Sequence, residues 1–345
     1  MIFFLLFCIV PVDGWMFMKH GDPPKMWQFV SGSLKESARY WFIRRAEKSG
    51  IPWYELTSSF ENDMDILKSY KPLYENTSIE YPNYYTQPFH GYDLGNLEWK
   101  AAVEAAAATL SVSATYWDNI DPNTAEKWMR HNATDSIKNY VYHHIHRPVH
   151  SILDMGCSTG ISTNYVHHAF PKSNILGVDL SPYFVSTAVY SAEKMNQNLD
   201  FMHANVENIP LVDESFDVVT CNFLFHEMPY DATIKVIKEA HRLLKTDGVL
   251  AIVDLNPFTL KKHFNENKFF LWAFEVTEPH IYEYYRHDMK ETMEICGFES
   301  IMTKENDPLN LLWMGKKGGV KIKKLKLSSS FEGIKIPSCP LLMEV

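Results

Sequence analysis

From about residue 150 onward the chain alternates between two hydrophobic rhythms. Short, nearly continuous apolar runs occur at 150–154, 174–180, 199–205, 216–223 and 249–255. Between them lie longer stretches whose apolar residues recur every three or four positions, at 162–170, 182–197 and 231–247. Runs of the first kind are strands covered on both faces, and stretches of the second kind are amphipathic helices. Pro171 stops the first helix, Ser181-Pro182 opens the second, and the third, faced by Ile234, Val236, Ile237, Ala240, Leu243 and Leu244, is expected to be capped by Asp231 and closed by Gly248. A helix over 287–296 stopped by Gly297, then strands at 298–304 and 310–314, complete the pattern. Strand–helix alternation of this kind predicts an α/β fold with a doubly wound parallel sheet.

The first 147 residues have no such alternation. Helical spacing is expected at 31–48 (Leu34, Ala38, Trp41, Phe42, Arg45), at 60–70, in the alanine-rich stretch 98–110 and at 124–144. Residues 81–99 are dense in aromatics, prolines and glycines. The expected division is therefore an apolar leader at 1–30, a helical N-terminal cap at 31–147, a core at 148–315 and a basic, flexible tail at 316–345. The Met1–Val10 apolar run is well short of the ~20 residues a membrane helix needs, and it has neither a basic flank nor a clear cleavage site. It reads as a signal, an anchor or a misassigned start.

Composition narrows the function. Of 345 residues, 46% are hydrophobic and 14% aromatic, which suits a globular protein, and a net charge of −9 gives no electrostatic pull toward nucleic acid. Cys8, Cys157, Cys221, Cys296 and Cys339 are scattered without a C-x-x-C pair, so neither a disulfide framework nor a metal site is expected. Partners beyond a small-molecule substrate, a membrane contact of the basic tail included, have no sequence support, and oligomeric state is left open.

The informative stretch is His150-Ser151-Ile152-Leu153-Asp154-Met155-Gly156-Cys157-Ser158-Thr159-Gly160, a strand running into a glycine turn and a helix. Glycines allow positive φ or close backbone approach, and helix N-termini favour polar or anionic ligands. The dinucleotide fingerprint has its first two glycines two apart. Here Gly156 and Gly160 are four apart, which disfavours a nicotinamide-dependent oxidoreductase. The pattern D-x-G-x-[GS]-x-G resembles motif I of the Rossmann-like, S-adenosylmethionine (SAM) dependent methyltransferases. Asp179, at the end of the second strand, stands where an acid can accept both ribose hydroxyls, although it could equally cap the helix that follows. His203-Ala204-Asn205-Val206-Glu207-Asn208-Ile209-Pro210 resembles a later motif of the same family, with Asn205 where aspartate is usual. Tyr81-Pro82-Asn83-Tyr84-Tyr85, Gly95-Asn96-Leu97-Glu98-Trp99, Asp254-Leu255-Asn256-Pro257 and Thr277-Glu278-Pro279 further resemble a plant and cyanobacterial subgroup with a helical N-terminal extension.

That resemblance implies a seven-stranded, mostly parallel sheet whose last strand is antiparallel, and SAM as cofactor. It implies that Asp154, Gly156, Ser158 and Gly160 wall the methionine moiety, that Asp179 and Leu180 hold the ribose, that Asn205 and Val206 meet the adenine, and that Asn222 and Phe223 face the sulfonium. His226 and Glu227 follow the fourth strand where the methyl group would emerge; His226 is either a general base or a packing histidine. Tyr84, Tyr85, His90 and Tyr92 read either as a lid or as cap packing, and Glu278, Tyr282 and Tyr285 as pocket residues. The implied activity is methyl transfer to a small organic molecule, in the cytoplasm or a plastid rather than outside the cell. A non-catalytic SAM-binding scaffold is the alternative from another class.

Overall fold

The computed structural model describes residues 40, 43–88, 90, 92–114, 116–117, 119–259 and 278–318. The leader at 1–30 and the tail beyond 318 lie outside them. Among the described residues no helix is long and apolar enough to cross a membrane.

Seven strands form one sheet: β1 (Ser151–Met155), β2 (Asn174–Asp179), β3 (Asp200–His203), β4 (Phe216–Asn222), β5 (Leu244–Leu255), β6 (Phe298–Glu305) and β7 (Asn310–Lys317). Their spatial order is β3-β2-β1-β4-β5-β7-β6. β1 to β5 run parallel, and β7 enters antiparallel between β5 and β6. This is the doubly wound, mostly parallel sheet with an antiparallel last strand that the sequence implied. Its order reverses beside β1, which pairs β2 on one side and β4 on the other. In open parallel sheets a ligand crevice opens at such a reversal, beyond the carboxyl ends of the strands.

Side chains alternate across the strands, so each strand feeds two cores. Leu153, Val219, Leu250 and Ile252 pack with Val236, Ile237, Ala240 and Leu243 of α7 (Tyr230–Leu243). Ile152, Val218, Val249, Ala251 and Val253 face the other way, onto Ala133, Ile137, Tyr140 and Val141 of α4 (Pro122–His144). The expected cap thus ends earlier than 147, because α4 is one of the layers covering the sheet. Asp121 starts α4 by accepting from the Asn123 and Thr124 N–H groups, with Pro122 at the first helical position.

The remaining cap comprises helical residues 43–48, α1 (Trp53–Asn62), α2 (Met64–Tyr74) and α3 (Trp99–Ser113). Ile43 and Ala46 are buried while Arg45 is exposed, and Leu34, Ala38, Trp41 and Phe42 of the expected stripe lie outside the described residues. The single helix expected over 60–70 is two, broken at Asp63. These helices rest on α6 (Pro182–Lys194), where Tyr70 and Tyr74 pack against Val185, Ala188, Val189 and Phe201.

Three smaller expectations are corrected. Asp231 does not cap α7; Pro229 holds that position, and Asp231 sits in the first turn. Gly248 does not end α7, because the chain passes from Leu243 straight into β5. A Cβ at Gly248 would lie 2.9 Å from the Lys245 carbonyl oxygen, so close backbone approach explains the glycine. Lys316 and Lys317, assigned to the tail, belong to β7 and pair with Asp247 and Glu214.

Candidate functional site at the carboxyl rim of the sheet

The loop after β1 is held from below. Asp154 is buried, and its carboxylate accepts from Ser162 Oγ (2.8 Å), Thr163 Oγ1 (2.7 Å), Thr220 Oγ1 (2.7 Å) and Asn222 Nδ2 (3.2 Å). Burial raises its pKa, against the pull of these four donors. Four donors fill the four acceptor positions of a carboxylate. Asp154 is therefore a strut joining β1, β4 and the start of α5 (Ile161–Ala169), not the ligand-facing wall the sequence suggested.

Above it, Gly156 has φ +73°, and the Gly156 and Cys157 N–H groups both donate to the Val178 carbonyl, at 2.8 and 3.0 Å. A Cβ at Gly156 would come 2.8 Å from Leu224 Cδ1. Gly160, φ +83°, is the N-cap of α5 and lies against Phe201 and Ala188. Both glycines are thus required by conformation and packing before any ligand is considered. Ser158 donates its N–H to Asp179 Oδ2 (2.8 Å), and Ser181 donates its N–H to Asp179 Oδ1 (2.8 Å). Burial pushes the Asp179 carboxyl up to about 6, opposed by these two N–H groups. With one donor on each oxygen, Asp179 keeps a lone pair on each for further donors.

The other residues proposed for the cofactor separate into groups. Leu180 is buried, and its carbonyl oxygen lies 2.9 Å from His203 Nε2. Asn205 Oδ1 accepts from the Glu207 N–H (2.9 Å), forming a local turn. Val206 does not open to the rim; it is 5% exposed and belongs to the core with Leu153 and Ile209. Asn222 reaches Asp154, while the Phe223 ring packs toward the α4 face beneath the Arg130 guanidinium, 5.5 Å from its centroid.

A second cluster lies on the same rim. His90, from the aromatic loop, places Nε2 3.0 Å from Glu278 Oε1 and 3.8 Å from Glu227 Oε1. His226 and Glu227 lie in the turn after β4, and His226 Nδ1 is 2.7 Å from Asp254 Oδ1. Asp254, at the end of β5, also accepts from the Phe225 N–H (2.8 Å). Burial works against the His226 imidazolium, but the Asp254 charge and hydrogen bond outweigh it and raise the pKa to about 9. Burial lifts the Glu227 carboxyl to about 7, against His90 and His226. Burial, and then the charges of Asp179 and Glu227, push the Tyr85 hydroxyl well up, and its ring stacks on Tyr81 at 6.2 Å.

The remaining aromatics do not converge here. Tyr84 donates to Glu207 Oε1 (2.7 Å) and sets its ring edge to face against His280. Tyr92 donates to Glu104 Oε2 (2.8 Å) inside the cap. Tyr282 and Tyr285 form an outer pair with Arg286 near both rings. The aromatic that does reach the cluster is Tyr284, whose hydroxyl donates to the Leu255 carbonyl (2.6 Å) and whose ring meets His226 edge-on at 6.2 Å. Asp254 and Tyr284 went unassigned in the sequence. The clue to Asp254 was a repeated one, since β1, β2 and β5 all carry an aspartate at or next to their carboxyl end.

This donor set suits SAM. Among the described residues no lysine or arginine pairs with Asp154, Asp179, Glu227, Asp254 or Glu278. Asp254 and Glu278 are met by His226 and His90, but Asp179 has no cationic partner among the described residues, which favours a ligand that brings positive charge to this rim.

Comparison with known proteins gives the same picture over the first part of the sheet domain. Residues 152–248 match the profile of a family described as a methyltransferase domain. An uncharacterized methyltransferase of Bacillus subtilis is 32% identical over 113 residues, 31% of this chain and 42% of that protein. A demethylmenaquinone methyltransferase of Thermotoga maritima is 31% identical over 111 residues, covering 32% and 46%. An erythromycin 3''-O-methyltransferase of Saccharopolyspora erythraea is 33% identical over 113 residues, covering 32% and 36%. The chain thus spans less than half the length of these curated relatives. Among solved structures, a SAM-dependent methyltransferase from Aquifex aeolicus aligns with TM-score 0.42 at 19% identity, over 57% of this chain and 99% of that one.

Proposed function

We propose that this chain, whose residues 152–248 match a methyltransferase-domain family, is a Rossmann-like enzyme that transfers a methyl group from SAM to a small organic molecule. The observation that carries the reading is the adjacency of two sites on one rim. Asp179, held by the Ser158 and Ser181 N–H groups at the end of β2, would serve as the ribose acceptor, and the cluster of His90, His226, Glu227 and Glu278 lies at the ends of β4 and β5 on the same rim.

When bound, SAM supplies an activated methyl group, so the protein has to position an acceptor and keep water out. Asp179 would accept from the ribose hydroxyls, and the remaining acceptor capacity of Asn205 would serve the adenine edge. Tyr284 packs beside His226, and the polar groups of the cluster would orient a small polar acceptor. The net charge of −9 argues against a nucleic-acid substrate.

The test is thermal unfolding of the full chain with S-adenosylhomocysteine, with NAD, and with neither. At about 100 times its dissociation constant a ligand adds about 2.7 kcal/mol. At about 2–4 °C per kcal/mol for a domain of this size, the expected shift is roughly 5–10 °C. S-adenosylhomocysteine should give this shift, and Asp179→Ala should remove it. A shift with NAD alone would overturn the reading. Binding without transfer to any member of a broad acceptor panel would reduce it to a scaffold.

A further inference from the structure

The sequence argued against a metal site because its cysteines are scattered without a C-x-x-C pair, yet ligands separated along the chain can meet in space. His90, His226 and Glu227 each offer one donor atom, and all three atoms lie within 4.8 Å of one another. In a filled site, donors about 2.0–2.2 Å from an ion lie roughly 3–3.6 Å apart, so small side-chain rotations would close this one.

Two further observations point to a cation. Glu278 is 8% exposed, and while Oε1 meets His90, Oε2 is buried without a hydrogen-bond partner. A buried carboxylate oxygen left unpaired is costly, and a divalent ion beside it would remove that cost. His226 is also oriented as a metal-binding histidine is: Nδ1 is held by the buried Asp254, which leaves Nε2 for the cluster.

We propose that His90, His226 and Glu227 bind a divalent first-row transition cation, with Glu278 beside them as a fourth ligand or as the neighbouring carboxylate that balances the charge. Two imidazoles and a carboxylate suit Mn²⁺, Fe²⁺, Co²⁺ or Zn²⁺ better than Mg²⁺ or Ca²⁺, and three protein ligands leave coordination positions open to oxygen atoms of the acceptor. A hydroxyl on the ion would have a lowered pKa, its proton passing to bulk water and leaving an oxyanion on the metal. That activating role rests on the methyl-transfer reading, whereas binding of the ion does not.

The full, untagged chain is stripped with chelator and titrated with Co²⁺, followed by visible absorption and calorimetry. The expected result is one Co²⁺ per chain, displaced by Zn²⁺ and not by Mg²⁺. Glu227→Gln and His90→Gln should each weaken Co²⁺ binding at least tenfold, the loss typical of a changed metal shell, with circular dichroism and melting unchanged. No saturable binding up to millimolar Co²⁺, or parental affinity in both folded variants, overturns the site. The S-adenosylhomocysteine shift is read on the same metal-free protein. Loss of that shift with Co²⁺ binding intact removes the methyl-transfer reading alone, and the reverse removes the ion site alone.

Discussion

The two ends of the sheet treat buried carboxylates in opposite ways. At the amino edge, Asp217 accepts from the His150 and Ser151 N–H groups (2.8 and 3.0 Å) and the Ser151 hydroxyl, and pairs with Arg147 and Lys245. Burial acts upward, but these donors and two cations bring its pKa down to about 2. At the carboxyl rim, Asp179 is also buried, but it has only backbone N–H partners and rises to about 6. The same side chain in the same sheet is fully neutralised where it secures strands and left unneutralised where a ligand would complete it. Perturbed carboxyls of the second kind mark functional sites more often than structural ones.

Exchanging each aspartate for asparagine breaks the comparison most directly. Asp217→Asn removes the charge between Arg147 and Lys245 and one acceptor for two backbone donors, and should cost about 3 kcal/mol in urea unfolding. Its effect on S-adenosylhomocysteine affinity should be negligible. Asp179→Asn should do the converse, weakening S-adenosylhomocysteine about 100-fold (about 2.7 kcal/mol) in calorimetry while leaving the melting temperature unchanged or higher. If both variants lost stability alone, the rim would be structural and the contrast would fail.

The pH dependences have opposite signs and somewhat smaller sizes. Asp217, lowered from 3.8 to about 2, contributes about 2 kcal/mol of stability that is present above pH 4 and lost as pH falls through 2. Asp179, raised from 3.8 to about 6, resists ionisation in the free protein, so its contribution to stability declines as pH rises from 4 to 6. S-adenosylhomocysteine affinity, which needs the ionised form, should fall about tenfold per unit below pH 6, and Asp179→Asn should flatten that slope. The smallest effect belongs to Tyr84→Phe. Losing the hydrogen bond to Glu207 should cost about 1 kcal/mol of stability, with ligand affinity unchanged because Tyr84 holds the cap and not the ligand.

Those residues also show what a one-dimensional pattern carries. The endings of β1 and β2 were legible because apolar runs there stop at an acid before a glycine or serine turn. The beginning of β5 was not, since Lys245-Thr246-Asp247-Gly248 is polar. It joins the strand because Leu244 is registered against Phe216 and Lys317 Nζ donates to the Leu244 carbonyl (2.7 Å). Asp154 was recognised as important, but its work depends on hydroxyls from Ser162, Thr163 and Thr220, and pairings at separations of 8 to 66 residues leave no periodic trace. Tyr84 reaches Glu207, Tyr92 reaches Glu104, Tyr85 stacks on Tyr81 and Tyr282 lies against Tyr285, because where each aromatic finds its partner is settled by tertiary packing. The meeting of His90, His226 and Glu227 had no local signal either.

The placement of β7 bears on how the molecule is assembled. β5 has its outer neighbour in a strand drawn from residues 310–317, while β6, made earlier, waits one place further out. On a ribosome, the edge of β5 would therefore stay bare until nearly the whole sheet domain has emerged, and bare parallel edges invite mispairing. The match to the methyltransferase-domain profile ends at residue 248, inside β5, before that neighbour is encoded. The domain is thus a late-closing unit, in which nascent chains lacking residues 310–317 should depend on chaperones and finished chains should not.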